Sequence, residues 1–186
     1  ASYFLAAAAA MPGSHATLLG LGRDSLQGDA RFAPHALAPM GVVVNQTDER
    51  TSVTSSADSP LHGVDLDLGD MPDMAQTLAV LALFAPHPTT VRNVGNLRVK
   101  ETDRLAALQH ELAKLGAAVT VSGNDFSVTP PPPEWAPAAP DRRVFIDTYD
   151  DHRMAMSFAV AGLASHRLPG RPRVCINDPG CVAKTY

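Results

Sequence analysis

The sequence has no run of basic residues, no apolar stretch long enough to cross a bilayer and no close pair of cysteines. Each of these absences removes a class of function. Its 15 Lys and Arg are dispersed and outnumbered by 19 Asp and Glu, for a formal net charge of −4. The electrostatic footprint of a nucleic-acid binder is therefore missing, and any cationic function must be local. The longest apolar runs, Phe4 to Met11 and Leu78 to Ala85, fall short of the roughly 20 residues that span a membrane. The first residues lack the charged start and cleavage pattern of a signal peptide, so the sequence reads as soluble. Cys175 and Cys181 have neither CxxC spacing nor a histidine cluster. That argues against a zinc site and a disulfide framework, and predicts reduced, partly buried thiols of a cytosolic-type compartment. Gly20, Gly22 and Gly28 miss the strand, G-x-G-x-x-G and helix order of a dinucleotide loop.

What is present centres on Asn93 to Gly116. Leu105, Leu108, Leu112 and Leu115 recur every three or four residues, the spacing of a helix with one buried face. At roughly 100° per residue, Glu101 falls in the middle of that stripe, with Lys100 and Arg104 on its flank and Asp103 opposite. This reading puts Lys100 and Glu101 in the first helical turn, where two cations repel each other and oppose the positive end of the helix dipole. Such an arrangement suits a bound anion. The plainer alternative is an internal Glu101–Arg104 pair at i,i+3.

With 186 residues, 45% of them hydrophobic, the chain can form one domain with a full core. In order, the patterns predict a buried helix over 2–11, a strand over 16–19, a glycine-punctuated loop, and a helix over 29–40 distorted near Pro34 and Pro39. A hairpin over 42–45 and 51–54 follows. The order then repeats, with a strand over 64–68, an almost wholly apolar helix over 72–85, a strand over 89–93, the charged-start helix, and a hairpin over 118–121 and 126–129. Pro130 to Pro133 read as a stiff connector. A third round has a strand over 144–146, a helix over 152–164 and a strand over 173–176. GLGRDSLQGDARF, NVGNLRVKETDRL and INDPGCVAKTY align with Gln27, Lys100 and Lys184 in one column. The fold class is therefore α/β (α+β), made of repeated βαβαββ units over 1–56, 63–130 and 143–186, the third incomplete. Three buried helices would sit at the centre, with amphipathic helices and sheets outside. The chain starts without methionine inside a predicted helix and stops where another begins, which predicts a piece of a longer polypeptide.

In this arrangement helix N-termini gather on one side with Asp73, Lys100, Glu101, Arg104, His152, Arg153 and Lys184, and converging N-termini with Lys and Arg make an anion site. Each residue also has a plainer reading. Asp73 could cap its helix, His152 could be a core-edge histidine, Arg153 could pair with Asp150 or Asp151, and Lys184 could be an exposed lysine. Their equivalent places in the repeat favour the site.

NLRVKETDRL, MPDMAQTLAVLALFA, TYDDHRMAMSFAVAGL and NDPGCVAKTY, in this order, closely resemble the C-terminal part of the 5-enolpyruvylshikimate-3-phosphate synthase family, the target of glyphosate. The resemblance implies an enolpyruvyl transferase-like inside-out α/β barrel domain, one of two that close on the substrates, so that the missing N-terminal domain would be a partner. It implies transfer of the enolpyruvyl group of phosphoenolpyruvate to the 5-hydroxyl of shikimate 3-phosphate, with phosphate released, in aromatic amino acid biosynthesis. Asp73 would act on the attacking hydroxyl, Asn96 and Lys100 would touch shikimate 3-phosphate, and Arg104, Arg153 and Lys184 would hold phosphoenolpyruvate. Glu101 would serve proton transfer, with His152 and Asp151 as neighbours. No metal or organic cofactor is implied, and the compartment would be bacterial cytoplasm or plastid. The chain alone would be folded but inactive. The alternatives are the UDP-N-acetylglucosamine enolpyruvyl transferase sister family, which shares the fold but not RVKETDR and DDHRMAM, and a non-catalytic anion-binding module.

Overall fold

The computed structural model describes residues 1–58, 60–132, 135, 143–167 and 172–184, with the side chains of 166, 167 and 184 outside that description. The end of the expected proline connector, at Pro133, likewise lies outside the described residues. Three helices form the centre: α1 (Ser2–Ala10), α3 (Ala75–Leu81) and α5 (His152–Arg167). They pack on one another, and their small residues Ala6, Ala75, Ala79 and Ala161 are fully buried beside Leu5, Leu78, Met154 and Phe158. Alanine at a helix contact lets the axes approach closely, while the larger side chains fill the space between. A hydroxyl pair, Thr77 and Ser157 at 3.3 Å, joins α3 to α5 in the interior. Pro72–Met74 and Ala82–Phe84 form 3-10 turns at the two ends of α3.

Outside this centre lie α2 (Asp29–Phe32) and α4 (Arg104–Lys114). After α2 the chain widens into a π-helical turn over Ala33–Leu37. Pro34 sits inside it, as the expected distortion near Pro34 requires, because proline has no N–H to give to an α-helical ladder.

The strands carry the repeat. β1 (His15–Leu19), β2 (Val43–Gln46) and β3 (Arg50–Thr54) form an antiparallel sheet in the order β1-β3-β2. β4 (Asp65–Asp67), β5 (Thr89–Arg92), β6 (Ala118–Ser122) and β7 (Asp125–Thr129) are ordered β4-β5-β7-β6. The last three repeat the topology of the first sheet, and β4 adds a parallel partner to β5. β8 (Arg143–Ile146) and β9 (Arg173–Ile176) pair in parallel, as β4 and β5 do. The fold is thus an α/β arrangement of repeated βαβαββ units, with three separate sheets among the described residues around a helical centre. In the second unit every element is present.

Two glycines permit close approaches. A Cβ on Gly95 would lie 2.1 Å from Asn124 Oδ1, so a larger residue in the 3-10 turn Gly95–Val99 would have to push the Asn124 side chain aside at the hairpin tip. Gly116, at φ +86°, ends α4 in a left-handed conformation, and a Cβ there would meet the Trp135 indole at 2.4 Å. Both cysteines are free thiols, Cys181 buried and Cys175 half-buried. Among the described residues no helix is long and apolar enough to cross a membrane.

Candidate functional site

Helix α4 begins at Arg104, later than the leucine periodicity predicts. Asp103 is extended (φ −68°, ψ 91°), and its carboxylate accepts the N–H groups of Leu105 and Ala106. An aspartate in that position satisfies donors the first turn leaves open, so the helix starts after it. Lys100 and Glu101 therefore stand in the approach to α4, not in its first turn, and Glu101 is off the buried stripe with its side chain 39% exposed.

Arg104 does lie on the stripe, only 1% exposed, and its guanidinium is surrounded by acids. Nε donates to Asp151 Oδ2 at 2.7 Å, Nη1 to Asp73 Oδ1 at 3.0 Å and Nη2 to Glu101 Oε2 at 2.6 Å. The i,i+3 pair with Glu101 therefore exists as part of a larger network. Burial works against this charge, but Asp151, Glu101 and Asp73 outweigh it, and the arginine holds its proton more firmly than usual.

Asp73 is the second hub. The 3-10 turn over Pro72–Met74 presents it at the head of α3, where it makes no cap bond. Instead it accepts Arg104 Nη1 at 3.0 Å and Arg153 Nη2 at 2.9 Å, and Lys100 Nζ lies 3.7 Å away as an ion pair. Its side chain is 37% exposed. Arg153 pairs with Asp73 through its side chain, and only its backbone N–H reaches Asp151 Oδ1, at 2.8 Å. Asp151 thereby caps α5 and clamps Arg104 with one fully buried carboxylate. Before it, Tyr149 and Asp150 are left-handed, at φ 55° and 53°. For L residues that costs about 1–2 kcal/mol each, so other contacts must fix this turn.

His152 opens α5 nearly buried, and its Nδ1 has no hydrogen-bond partner among the described residues. Burial first, then the Arg153 charge, hold its imidazole below the ordinary histidine value. Asn96 is exposed on the 3-10 turn that packs against the Asp73 turn. Lys184 ends the 3-10 turn Pro179–Lys184, and its side chain lies outside the described residues. The structure thus brings Asp73, Lys100, Glu101, Arg104 and Arg153 into one network, places His152 and Asn96 at its border, and leaves Lys184 undetermined. Tyr3, at the head of α1, was missed by sequence reasoning. Burial pushes its hydroxyl up to about 12, with the nearby Arg153 charge opposing. Its signal was a lone polar ring on a helix apolar all round.

Beside this network a cleft of about 380 Å³ is lined by Gln27, Asp29, Met71, Asp73 and Arg153. Gln27 and Lys100, aligned in the repeat, therefore both border Asp73. A separate cavity of about 340 Å³, between residues such as Ala10, Val42, Leu83 and Pro130, has no ionisable residue in its lining. It offers nothing to the chemistry of the cluster. Among the described residues no group of three or more His, Cys, Asp or Glu is arranged to hold a metal ion. What the cluster can do is receive a compact anion on two arginines and a lysine, with carboxylates in reach to move protons.

The whole chain superposes on part of an EPSP synthase of Acinetobacter baumannii with a TM-score of 0.72 at 22% identity, covering 42% of that chain. It also superposes on the enolpyruvyl transferase NikO of Streptomyces tendae, with a TM-score of 0.66 at 21% identity and 39% of that chain covered. The fold is that of the enolpyruvyl transferases. The sequence model of the family EPSP synthase (3-phosphoshikimate 1-carboxyvinyltransferase) matches residues 1–186, and the chain belongs to that family. The 3-phosphoshikimate 1-carboxyvinyltransferase of Laribacter hongkongensis is 50% identical over all 186 residues, which span 40% of its length. The chloroplastic one of Brassica napus is 47% identical, with 34% of its length covered. The chain therefore spans about two fifths of the bacterial relative it matches.

Proposed function

We propose that this chain forms one domain of a two-domain 3-phosphoshikimate 1-carboxyvinyltransferase and supplies the phosphoenolpyruvate half of its active site. The observation that carries this reading is the convergence of Lys100 and Arg104, from around the start of α4, and Arg153, from α5, on Asp73 beside Glu101. Phosphoenolpyruvate is a small anion bearing a carboxylate and a phosphate, and it needs such a set of cations. Arg104 and Arg153 take its anionic groups, joined by Lys184 on the strength of its motif. Asp73 accepts the proton of the shikimate 3-phosphate 5-hydroxyl, with Asn96 and Lys100 against that substrate. Glu101 moves the proton at the methylene carbon, and His152 stands beside it as a neutral ring near pH 7.

The reaction follows as addition and elimination. A proton goes to the methylene carbon, the deprotonating hydroxyl oxygen bonds to the adjacent carbon, and the tetrahedral adduct results. The methyl group then returns a proton and the carbon–oxygen bond to phosphate breaks. Closure of the N-terminal domain completes the pocket, so the isolated chain is inactive. Glyphosate, an anionic competitor, falls on the same cations. The compartment is the bacterial cytoplasm or a plastid, in keeping with the bacterial and chloroplastic relatives. None of the relatives reported above favours the UDP-N-acetylglucosamine enzyme.

An NMR titration of this chain with phosphoenolpyruvate tests the reading through the amides of Lys100 to Arg104, Arg153 and Lys184. Localised, saturable shifts at millimolar ligand are expected. A folded chain with no shift there would overturn it.

A further inference from the structure

Glu111 is the one fully buried carboxylate of α4, and the chemistry proposed above does not use it. Its Oε1 accepts the Tyr149 hydroxyl at 2.8 Å, and its Oε2 accepts the Asp147 backbone N–H at 3.1 Å and Lys114 Nζ at 2.8 Å. Lys114 reaches on to Asp147 Oδ2 at 2.9 Å and the Phe145 carbonyl at 3.2 Å. Asn177 holds the other Asp147 oxygen at 2.7 Å. Every one of these contacts but the Lys114 pair crosses to the segment that runs from β8 into the left-handed turn at Tyr149 and Asp150.

Glu111 stands seven residues after Arg104, two turns of helix or about 10 Å along the same face. The two ends of that face hold the two ends of one segment. Arg104 grips Asp151, and Glu111 grips Asp147 and Tyr149. Within the stretch so held, Tyr149 and Asp150 take a conformation the chain would not adopt unaided. Burial, then the Glu111 carboxylate, push the Tyr149 hydroxyl above its ordinary value, so it remains a donor at any working pH.

We propose that Glu111 is a positioning residue, a buried acceptor that sets the 147–151 turn and so fixes Asp151, and through it Arg104 and Arg153, in register for the anion. The proposal rests on the reading of the site as a phosphoenolpyruvate half-site for its purpose, but not for its geometry.

The test compares isotope-labelled chain with Glu111→Gln, Tyr149→Phe and, as a control, Val91→Ala, a buried truncation in β5. In the ligand-free chain, Glu111→Gln is expected to shift the Arg104 Nε–H and the Asp151 and Arg153 amides and to hasten their exchange. Tyr149→Phe should do so less, and Val91→Ala should lower the melting temperature without moving those signals. Phosphoenolpyruvate should bind Glu111→Gln about tenfold more weakly, the equivalent of one well-placed hydrogen bond. A lowered melting temperature with unmoved Arg104 and Arg153 signals would make Glu111 merely structural and overturn the proposal. Should Glu111→Gln not fold, Tyr149→Phe decides by the same signals. Because these are read without ligand, failure of the unsubstituted chain to bind phosphoenolpyruvate would instead sink the proposed function.

Discussion

Helix α4 carries two ionic clusters on one face, and they differ in what they leave open. At Glu111 the acid is wholly buried and its acceptors are directed at a hydroxyl, a backbone N–H and an ammonium. At Arg104 the guanidinium is just as buried, but two of its three acid partners, Asp73 and Glu101, are more than a third exposed. Three cations and three carboxylates there add to no net charge. In the first the central acid is buried with both oxygens engaged, so the network holds a loop in place even though Asp147 and Tyr149 at its margin reach water. In the second the cations are held by carboxylates that face water, so an incoming anion can exchange with them.

The largest break in this contrast is Arg104→Met. It leaves Asp151 buried and uncompensated, and should cost about 3–5 kcal/mol of stability, measured by urea denaturation, with loss of the phosphoenolpyruvate shifts. Next is Asp73→Asn. If Asp73 occupies cations that the ligand must win, the neutral side chain should tighten phosphoenolpyruvate binding by the isolated chain about three- to tenfold at low salt. Calorimetric titration would show it, and the gain should shrink as salt is added. Weaker binding would mean that Asp73 orders the two arginines more than it competes for them. The smallest effect concerns His152. Its folded value is depressed, so the stability it contributes is in place above the ordinary value of about 6.5 and is lost as pH falls through the lower folded value. His152→Gln should flatten that acid limb in melting curves taken between about pH 7 and 5. An unchanged acid limb would assign the acid sensitivity to other groups.

The periodicities made the helical centre and both hairpins legible, because a helix apolar all round and strands flanking Gly123 and Asn124 have few other ways to bury themselves. The start of α4 was not legible in the same way. Leucine spacing continues smoothly back through Glu101, and only the backbone of Asp103 shows that a cap interrupts it. The cations of the site were readable as misfits in an apolar pattern, whereas their partners were not. That Arg153 turns to Asp73, 80 residues away, while Asp151 takes Arg104, depends on how α3, α4 and α5 converge. Glu111 left a signal that was available, a charge on the leucine stripe seven residues from another.

The contact between Gly116 and Trp135 has a practical side. The chain has a single tryptophan, and its indole lies against the backbone where α4 ends. Fluorescence from this protein therefore comes with its address known. Emission colour and quenching report whether the far end of the helix that bears Arg104 and Glu111 stays seated, with no dye attached and no residue replaced.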